Sequence, residues 1–293
     1  MISIVSSMVK SSDRGLRYHL HRVLSGYEEN DRPVTAVHAS DLSDGWREFC
    51  PRERALLTHQ GKGRPKSFVS TSWRVTYDIG WFVEDLVVKA LAKAKVAVAK
   101  WRCEGCGSVT KLGMCPWKCS NCGCRVLAHE SIGFRSKISG VHGHTDCFAL
   151  LGDKYEIVEV KSIDKIEYTK LVAPLAGHRW RTSLYMRLAE ESDFEYKDRL
   201  ELKRARIIYV SKGGYGTAAP DVKKWDFRDD AFSPFKEYTI ERHDDETDDM
   251  LERARIFLEW RNGGSFPGRI CDTAICKQAK SCPVVHECFS VSV

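Results

Sequence analysis

The stretch His144-Thr-Asp-Cys-Phe-Ala-Leu-Leu-Gly-Asp-Lys-Tyr-Glu-Ile-Val-Glu-Val-Lys-Ser162 decides how this chain is read. Residues 144–151 and 154–162 are rich in apolar and β-branched side chains, which suit strands, and Gly152-Asp153 between them suits a two-residue hairpin with glycine first. If Leu151 opposes Lys154, all opposed pairs have numbers of the same sum, and Asp146 faces Glu159. Side chains alternate along a strand, so Glu159 and Lys161 share a face with Asp146, while Cys147, Ala149, Val158 and Val160 point to an opposite, buried face.

Opposed carboxylates repel and destabilise a sheet unless positive charge lies between them. A divalent cation fits, since Mg²⁺ is commonly held by one or two carboxylates together with water and substrate phosphate. Such an ion would polarise a scissile phosphate and acidify a water, with Lys161 orienting that water or stabilising developing charge. The expected reaction is phosphodiester hydrolysis. Taken alone, Glu159-Val160-Lys161 is equally well explained as a solvated ion pair.

With 293 residues the chain can bury a sizeable core, and a main domain with small appendages is expected rather than two equal domains. A net charge of +6 permits a nucleic-acid partner without demanding one. No stretch is apolar for long enough to span a bilayer, and MISIVSSMVKSSDRG lacks the apolar core of a signal peptide, so a cytoplasmic, membrane-free location is expected. Twelve cysteines without an export signal argue for metal sites over a disulfide scaffold.

Six of those cysteines crowd residues 103–124 and four crowd residues 271–288, while Cys50 and Cys147 stand apart. Cys103-Glu-Gly-Cys106-Gly107 and Cys119-Ser-Asn-Cys122-Gly123 are paired knuckles. Each glycine lets the chain turn so that amides face the sulfurs, and four thiolates make the closed tetrahedral site of structural zinc. Cys115 and Cys124 are surplus to four ligands, and the pair Cys115 and Cys119 would replace one knuckle. The segment, about residues 103–125, has little apolar content and reads as an inserted zinc ribbon in which metal replaces a core. Its expected role is bracing the fold, with DNA contact as the alternative. At the C-terminus, Cys271, Cys276, Cys282 and Cys288 would hold zinc by themselves, or three of them would join Cys50 around an iron–sulfur cluster.

Asp146 in Gly143-His-Thr-Asp146, followed by Glu159-Val-Lys161, resembles the signature of the PD-(D/E)XK nucleases, and Cys50-Pro51 with the C-terminal cysteines resembles their iron–sulfur subfamily. That subfamily includes RecB-like exonucleases associated with CRISPR systems, AddB-type nuclease domains and phage exonucleases. The likeness runs from about residue 40 to residue 288 through short, separated motifs. It implies Asp146 and Glu159 as ligands of Mg²⁺ or Mn²⁺, the Val160 carbonyl as a further ligand, and Lys161 as the catalytic lysine. Glu84 falls where relatives carry a metal-binding histidine or acid on a preceding helix. Glu84 also shares helical spacing with Trp81, Val88 and Leu91, so it lies on an apolar stripe where an unpaired carboxylate is costly, unless the stripe runs through Phe82, Leu86 and Lys89.

Relatives carry a glutamine and, four residues on, a tyrosine; this chain keeps Tyr185 but has Arg181 at the glutamine position, which puts substrate handling in question. For a 4Fe-4S cluster the resemblance favours Cys50, Cys271, Cys282 and Cys288, with Cys276 as substitute, although relatives space these cysteines more tightly. The fold implied is α/β, a mixed central sheet flanked by helices as in restriction endonucleases, with the zinc ribbon inserted and the cysteine-rich segment appended. The expected domains are an N-terminal helical segment over 1–77 contributing Cys50, a nuclease core over 78–213 and a C-terminal helical segment over 214–293. The activity implied is exonucleolytic, on DNA ends or single strands in recombination, repair or phage replication, with a helicase or recombination protein as partner. The alternative is a DNA-binding adaptor whose metal sites are structural.

Helices are expected over residues 40–59, 78–98, 175–191 and 244–260, with a buried strand over 205–211. Residues 62–66, Arg179, Arg181, residues 203–206 and Trp180 are candidate DNA contacts, each better explained on its own as a surface charge or core aromatic.

Overall fold

The computed structural model describes residues 16–28, 33–44, 47–62, 67–213 and 233–290. The N-terminal part supplies α1 (Leu16–Leu24), β1 (Gly26–Glu28), a short α2 (Ala39–Leu42) and α3 (Pro51–His59). The helix expected over 40–59 is thus two helices. The second starts where Cys50 accepts the Glu53 N–H through its sulfur and Pro51 occupies a first-turn position that needs no donor.

After β2 (Ser67–Val69), which pairs antiparallel with β1, Ser70 accepts the Trp73 N–H and opens the 23-residue α4 (Thr71–Lys93). A helix over 78–98 is expected from the sequence; the actual one begins earlier, at the Ser70 cap, and ends at Lys93. Lys95 then turns the chain with φ of +63° into β3 (Ala97–Val98).

Two antiparallel pairs follow, β4 (Lys100–Cys103) with β5 (Leu127–Glu130) and β6 (Ile132–Arg135) with β7 (His142–Thr145). The ribbon segment is carried between β4 and β5. The decisive hairpin is β8 (Cys147–Leu151) and β9 (Lys154–Ile163): Leu151 pairs with Lys154, Cys147 pairs with Val158, and Gly152 supplies the positive φ of +81° that the turn needs. Asp146 sits at the bend between β7 and β8, one register step from that last pair.

The rest comprises α5 (Lys165–Lys170), α6 (Ala176–Glu191), β10 (Leu200–Ser211), β11 (Phe235–Glu241), α7 (Asp244–Arg261), α8 (Lys277–Lys280) and α9 (Val285–Ser290). The central sheet runs β11-β10-β9-β8-β3. β9 and β10 are parallel, joined through α5 and α6, and the other neighbours are antiparallel. The architecture is a mixed α/β fold with a mixed sheet flanked by helices.

Strand alternation sorts the apolar side chains. Cys147, Ala149, Val158 and Val160 pack with Val87, Val88 and Ala92 of α4 on one face. Phe148, Ile157, Ile207 and Tyr209 pack on the other with Leu184 and Leu188 of α6 and Phe257 of α7. Fully burying a side chain such as Ile157 or Leu184 contributes about 1.5–3 kcal/mol, so these two layers fix the sheet between its helices. Val37, Phe49 and Ala55 from the N-terminal part join the same core as α7. Asp244, Asp245 and Glu246 complement the dipole in the first turn of α7, and Gly263, with φ of +98°, follows its end. Among the described residues no helix is long and apolar enough to cross a membrane.

Candidate active site

Four elements converge beside the bend at Asp146. Glu84 comes from α4, His129 from β5, Glu159 and Lys161 from β9, and Tyr185 from α6. One donor atom each of Glu84, His129 and Asp146 lies within 4.8 Å of the others. His129 Nε2 stands 2.9 Å from Glu84 Oε1, and its backbone N–H donates to Asp85 Oδ1 at 2.9 Å. The Val160 N–H donates to Asp146 Oδ2 at 2.6 Å, which locks the carboxylate over β9.

Glu159 lies outside the three-donor group. Its Oε1 is 2.5 Å from Lys161 Nζ, while its buried Oε2 has no hydrogen-bond partner among the described residues. Glu156 in the same strand is a useful contrast: it is fully buried, yet both its oxygens are held, by Arg204 at 2.9 Å and Arg206 at 2.7 Å. Glu156 is therefore a satisfied structural acid. An orphaned carboxylate oxygen beside three clustered donors has the donor set of a hard divalent cation, with one imidazole added.

The electrostatics fit the same reading. Burial pushes the Asp146 carboxyl well above its ordinary value, and the negative charge of Glu159 pushes it further, against the opposing pull of Lys161. Burial alone would lower the Lys161 ammonium, but Glu159 and Asp146 outweigh it and raise the pKa, so the lysine is held charged. The Tyr185 hydroxyl is raised by burial first and by Glu159 second. Its ring fits only because residue 143 is glycine: a Cβ there would lie 2.9 Å from the Tyr185 ring. Arg181, at the position where the resemblance expects glutamine, donates to Ser43 Oγ at 3.1 Å.

His129 is the component that sequence reasoning missed. The available signal was an imidazole in Leu127-Ala-His-Glu130, a short strand otherwise apolar at its start, where a buried polar ring needs a partner. Of the candidate DNA contacts, Arg179 is paired with Glu246 at 2.9 Å, and Arg204 and Arg206 are taken up by Glu156. Residues 63–66 of the basic loop lie outside the described residues.

The ribbon cysteines are arranged as two matching knuckles. Gly107 and Gly123 adopt φ of +71° and +76° and return their N–H groups to the carbonyls of Cys103 and Cys119 at 2.8 and 2.9 Å. The Gly105 and Asn121 amides point at the Cys103 and Cys119 sulfurs at 3.3 and 3.4 Å. All four sulfurs of Cys103, Cys106, Cys119 and Cys122 fall within 4.8 Å of one another, with contacts of 3.5 and 3.8 Å. Zinc–sulfur bonds of about 2.3 Å in a tetrahedron imply sulfur separations of about 3.8 Å, so the residues fit that ion. Hydrogen bonds from Ser108 lead in lowering the Cys106 thiol to about 6 and in lowering Cys119, whereas burial pushes Cys103 up to about 12 and Cys122 is raised as well. Before an ion binds, the four thiols are therefore split between easy and reluctant ionisation. Cys115 is exposed and Cys124 is turned toward the Val126 carbonyl; neither joins the four.

Cys50, Cys271, Cys282 and Cys288 line one cavity where α3, the segment before α8 and α9 meet. Cys276 caps α8 by accepting the Ala279 N–H at 3.3 Å and also hydrogen-bonds the Cys271 thiol. The buried Arg52 guanidinium bonds the carbonyls of Pro267 at 3.0 Å and Cys288 at 3.5 Å, holding the C-terminal segment to α3.

No family model matches the sequence, and no curated protein matches it. Solved structures of similar shape include LHK-Exo in complex with dAMP, at 13% identity, 78% of this chain, 89% of that chain and a TM-score of 0.43. An alkaline exonuclease, LHK-Exo, from Laribacter hongkongensis is 14% identical over 79% of this chain and 90% of that one, with a TM-score of 0.42. A phage related exonuclease from Haemophilus somnus 129PT is 12% identical over 78% and 95%, with a TM-score of 0.38. At these scores the likenesses decide neither family nor activity.

Proposed function

We propose that the chain is a PD-(D/E)XK-type nuclease that hydrolyses phosphodiester bonds in DNA with Mg²⁺ or Mn²⁺, acting as an exonuclease on ends or single strands. The observation that carries this reading is the convergence of Glu84, His129 and Asp146 beside the orphaned Glu159 oxygen and the charged Lys161. Glu84, Asp146, Glu159 and the Val160 carbonyl would hold the ion, with His129 as an added donor. When bound, the cation supplies Lewis-acid polarisation of the phosphate and a more acidic attacking water.

The protein's own groups do the rest. Lys161 Nζ keeps its proton and presents positive charge where the phosphate gains negative charge. Glu159, bonded to that lysine, orients it. The Val160 amide holds Asp146 in place, and the buried Tyr185 excludes water from the α6 side.

In this reading the core spans residues 78–213, flanked by the segments 1–77 and 214–293. The ribbon over 103–125 holds a structural Zn²⁺. A 4Fe-4S cluster on Cys50, Cys271, Cys282 and Cys288, with Cys276 as substitute, joins the two flanking segments. Work on DNA ends in recombination, repair or phage replication, beside a helicase or recombination protein in the cytoplasm of a bacterial or phage-infected cell, follows from the resemblance.

Labelled DNA incubated with Mg²⁺ or Mn²⁺ is expected to be degraded by the wild type and not by Asp146→Ala. Equal degradation by the variant would overturn the assignment. Protein purified anaerobically from iron-replete cells is expected to contain one zinc together with iron and labile sulfide; a colourless product with two zinc ions would overturn the cluster.

A further inference from the structure

The first half of α4 carries a row of aromatic side chains that the proposed chemistry does not use. The second half behaves as a sheet-packed helix should, burying Val87, Val88 and Ala92. The first half does the reverse: Trp73, Tyr77 and Trp81 are 53%, 56% and 44% exposed. Each is four residues from the next, so they follow one helix face at steps of about 6 Å, and the row ends less than one turn before Glu84. Trp73 and Tyr77 already form a parallel platform, with ring centroids 5.4 Å apart and planes 9° apart.

These rings form one wall of a cleft of about 300 Å³ whose opposite wall is Lys161, Ser162 and Lys212 and which also reaches Glu84. The walls approach closely because residue 80 is glycine; a Cβ there would meet Ser162 Oγ at 3.2 Å. Lys212 reaches across to the Thr76 carbonyl at 3.4 Å, so an ammonium spans the cleft beside the rings. The cleft therefore combines stacking faces, cations and an open connection to the candidate acids.

We propose that this cleft is the subsite for an unpaired DNA strand, whose bases stack on Trp73, Tyr77 and Trp81 while its phosphates pass Lys212 and Lys161 toward the catalytic acids. The inference rests on the nuclease reading of that site and names its substrate class. In a duplex the faces of interior bases are covered by their neighbours, so an aromatic platform of this kind selects single strands, with little regard for sequence. A protein partner would use the aromatic row but would gain nothing from its continuity with Lys161 and Glu84.

The test is binding without divalent cation, followed by anisotropy of a fluorescein-labelled oligothymidine and of a blunt duplex. Trp73→Ala, Tyr77→Ala and Trp81→Ala are each expected to weaken the single strand roughly five- to hundredfold. The blunt duplex is expected to change by less than about twofold, and Trp81→Phe to retain most affinity for the strand. Because the three side chains are exposed, melting temperatures are expected to stay at the wild-type value. Unchanged strand affinity in all three variants, or equal weakening toward the duplex, would overturn the subsite.

Hydrolysis of the p-nitrophenyl ester of thymidine 5′-phosphate, too small to reach Trp73, separates this idea from the one it rests on. If Mn²⁺-dependent cleavage is lost in Lys161→Ala while strand affinity ignores the aromatics, the nuclease reading stands and the subsite falls. If the ester is never cleaved but the aromatics still govern strand binding, the subsite stands and the catalytic reading falls.

Discussion

The ribbon cysteines and the acidic site lie at two ends of one two-stranded arm, yet they are assembled by different means. β4 ends at Cys103 and β5 begins at Leu127, and two residues further along β5 His129 pairs with Trp101 and enters the acidic site. In the ribbon, all four donors fall within residues 103–122: the glycines shape each knuckle, and the short β4–β5 pairing with the Glu104 to Val126 bond holds the loop that brings the two knuckles together. In the acidic site, the groups come from α4, β5, a bend and β9, and only the packed sheet brings them together. Local spacing makes a site that holds its own geometry; long-range packing makes one that borrows its geometry from the core.

The sharpest way to break this contrast is to open the ribbon. Cys103→Ser is expected to lose one zinc per chain and to cost about 3–5 kcal/mol, roughly 10 °C in melting temperature, whereas Cys115→Ser should change neither. Because β4 and β5 carry His129, the same variant is expected to weaken Mn²⁺ binding at the acids. Metal analysis with calorimetry checks both, and full zinc content in Cys103→Ser would dissolve the ribbon site.

Asp146→Asn tests the other end. A raised carboxyl pKa means that the folded chain holds this proton more tightly than the unfolded chain, so stability falls as pH rises from the ordinary carboxylate value through the raised one. Without metal, the wild type carries that penalty at neutral pH, and the asparagine variant is expected to melt higher. Excess Mn²⁺ should stabilise the wild type by about 2.7 kcal/mol at a hundredfold excess over Kd and leave the variant almost unmoved. A like gain in both, read by thermal melts with and without Mn²⁺, would place the ion elsewhere.

His129→Asn is expected to weaken Mn²⁺ at least about tenfold in calorimetric titration, and Mg²⁺ less, since imidazole suits Mn²⁺ better than it suits Mg²⁺. The smallest effect belongs to His178, whose ring nitrogen lies 2.9 Å from the Tyr209 hydroxyl. Burial, then the charges of Lys161 and Arg181, lower its pKa to about 3. Its contribution is complete above the ordinary histidine value near 6.5 and is lost as pH falls toward about 3, so His178→Gln should flatten the acid side of a melting-temperature profile over that window.

How far the sequence reveals each region follows the same division. The knuckle spacing of Cys103, Cys106, Cys119 and Cys122 is local, and so is the Gly152 turn that sets Leu151 against Lys154. The long-range partners are another matter. His129 carries no motif, and its place beside Glu84 depends on how β5 packs against α4. The early start of α4 was hidden because its first half exposes aromatics and so lacks the apolar stripe by which a helix is recognised. The exclusion of Cys115 and Cys124 from the ribbon site likewise depends on which way the loop folds.

The acids and Lys161 are proposed to carry the chemistry while the ribbon carries structure. Single-turnover cleavage of labelled DNA in Mn²⁺ by Lys161→Ala, with zinc content and melting temperature measured on the same sample, tests this division most directly. The expected result is wild-type zinc, a fold that remains intact and a rate lower by roughly 10²- to 10⁴-fold. A Lys161→Ala protein that cleaves DNA at the wild-type rate would contradict it.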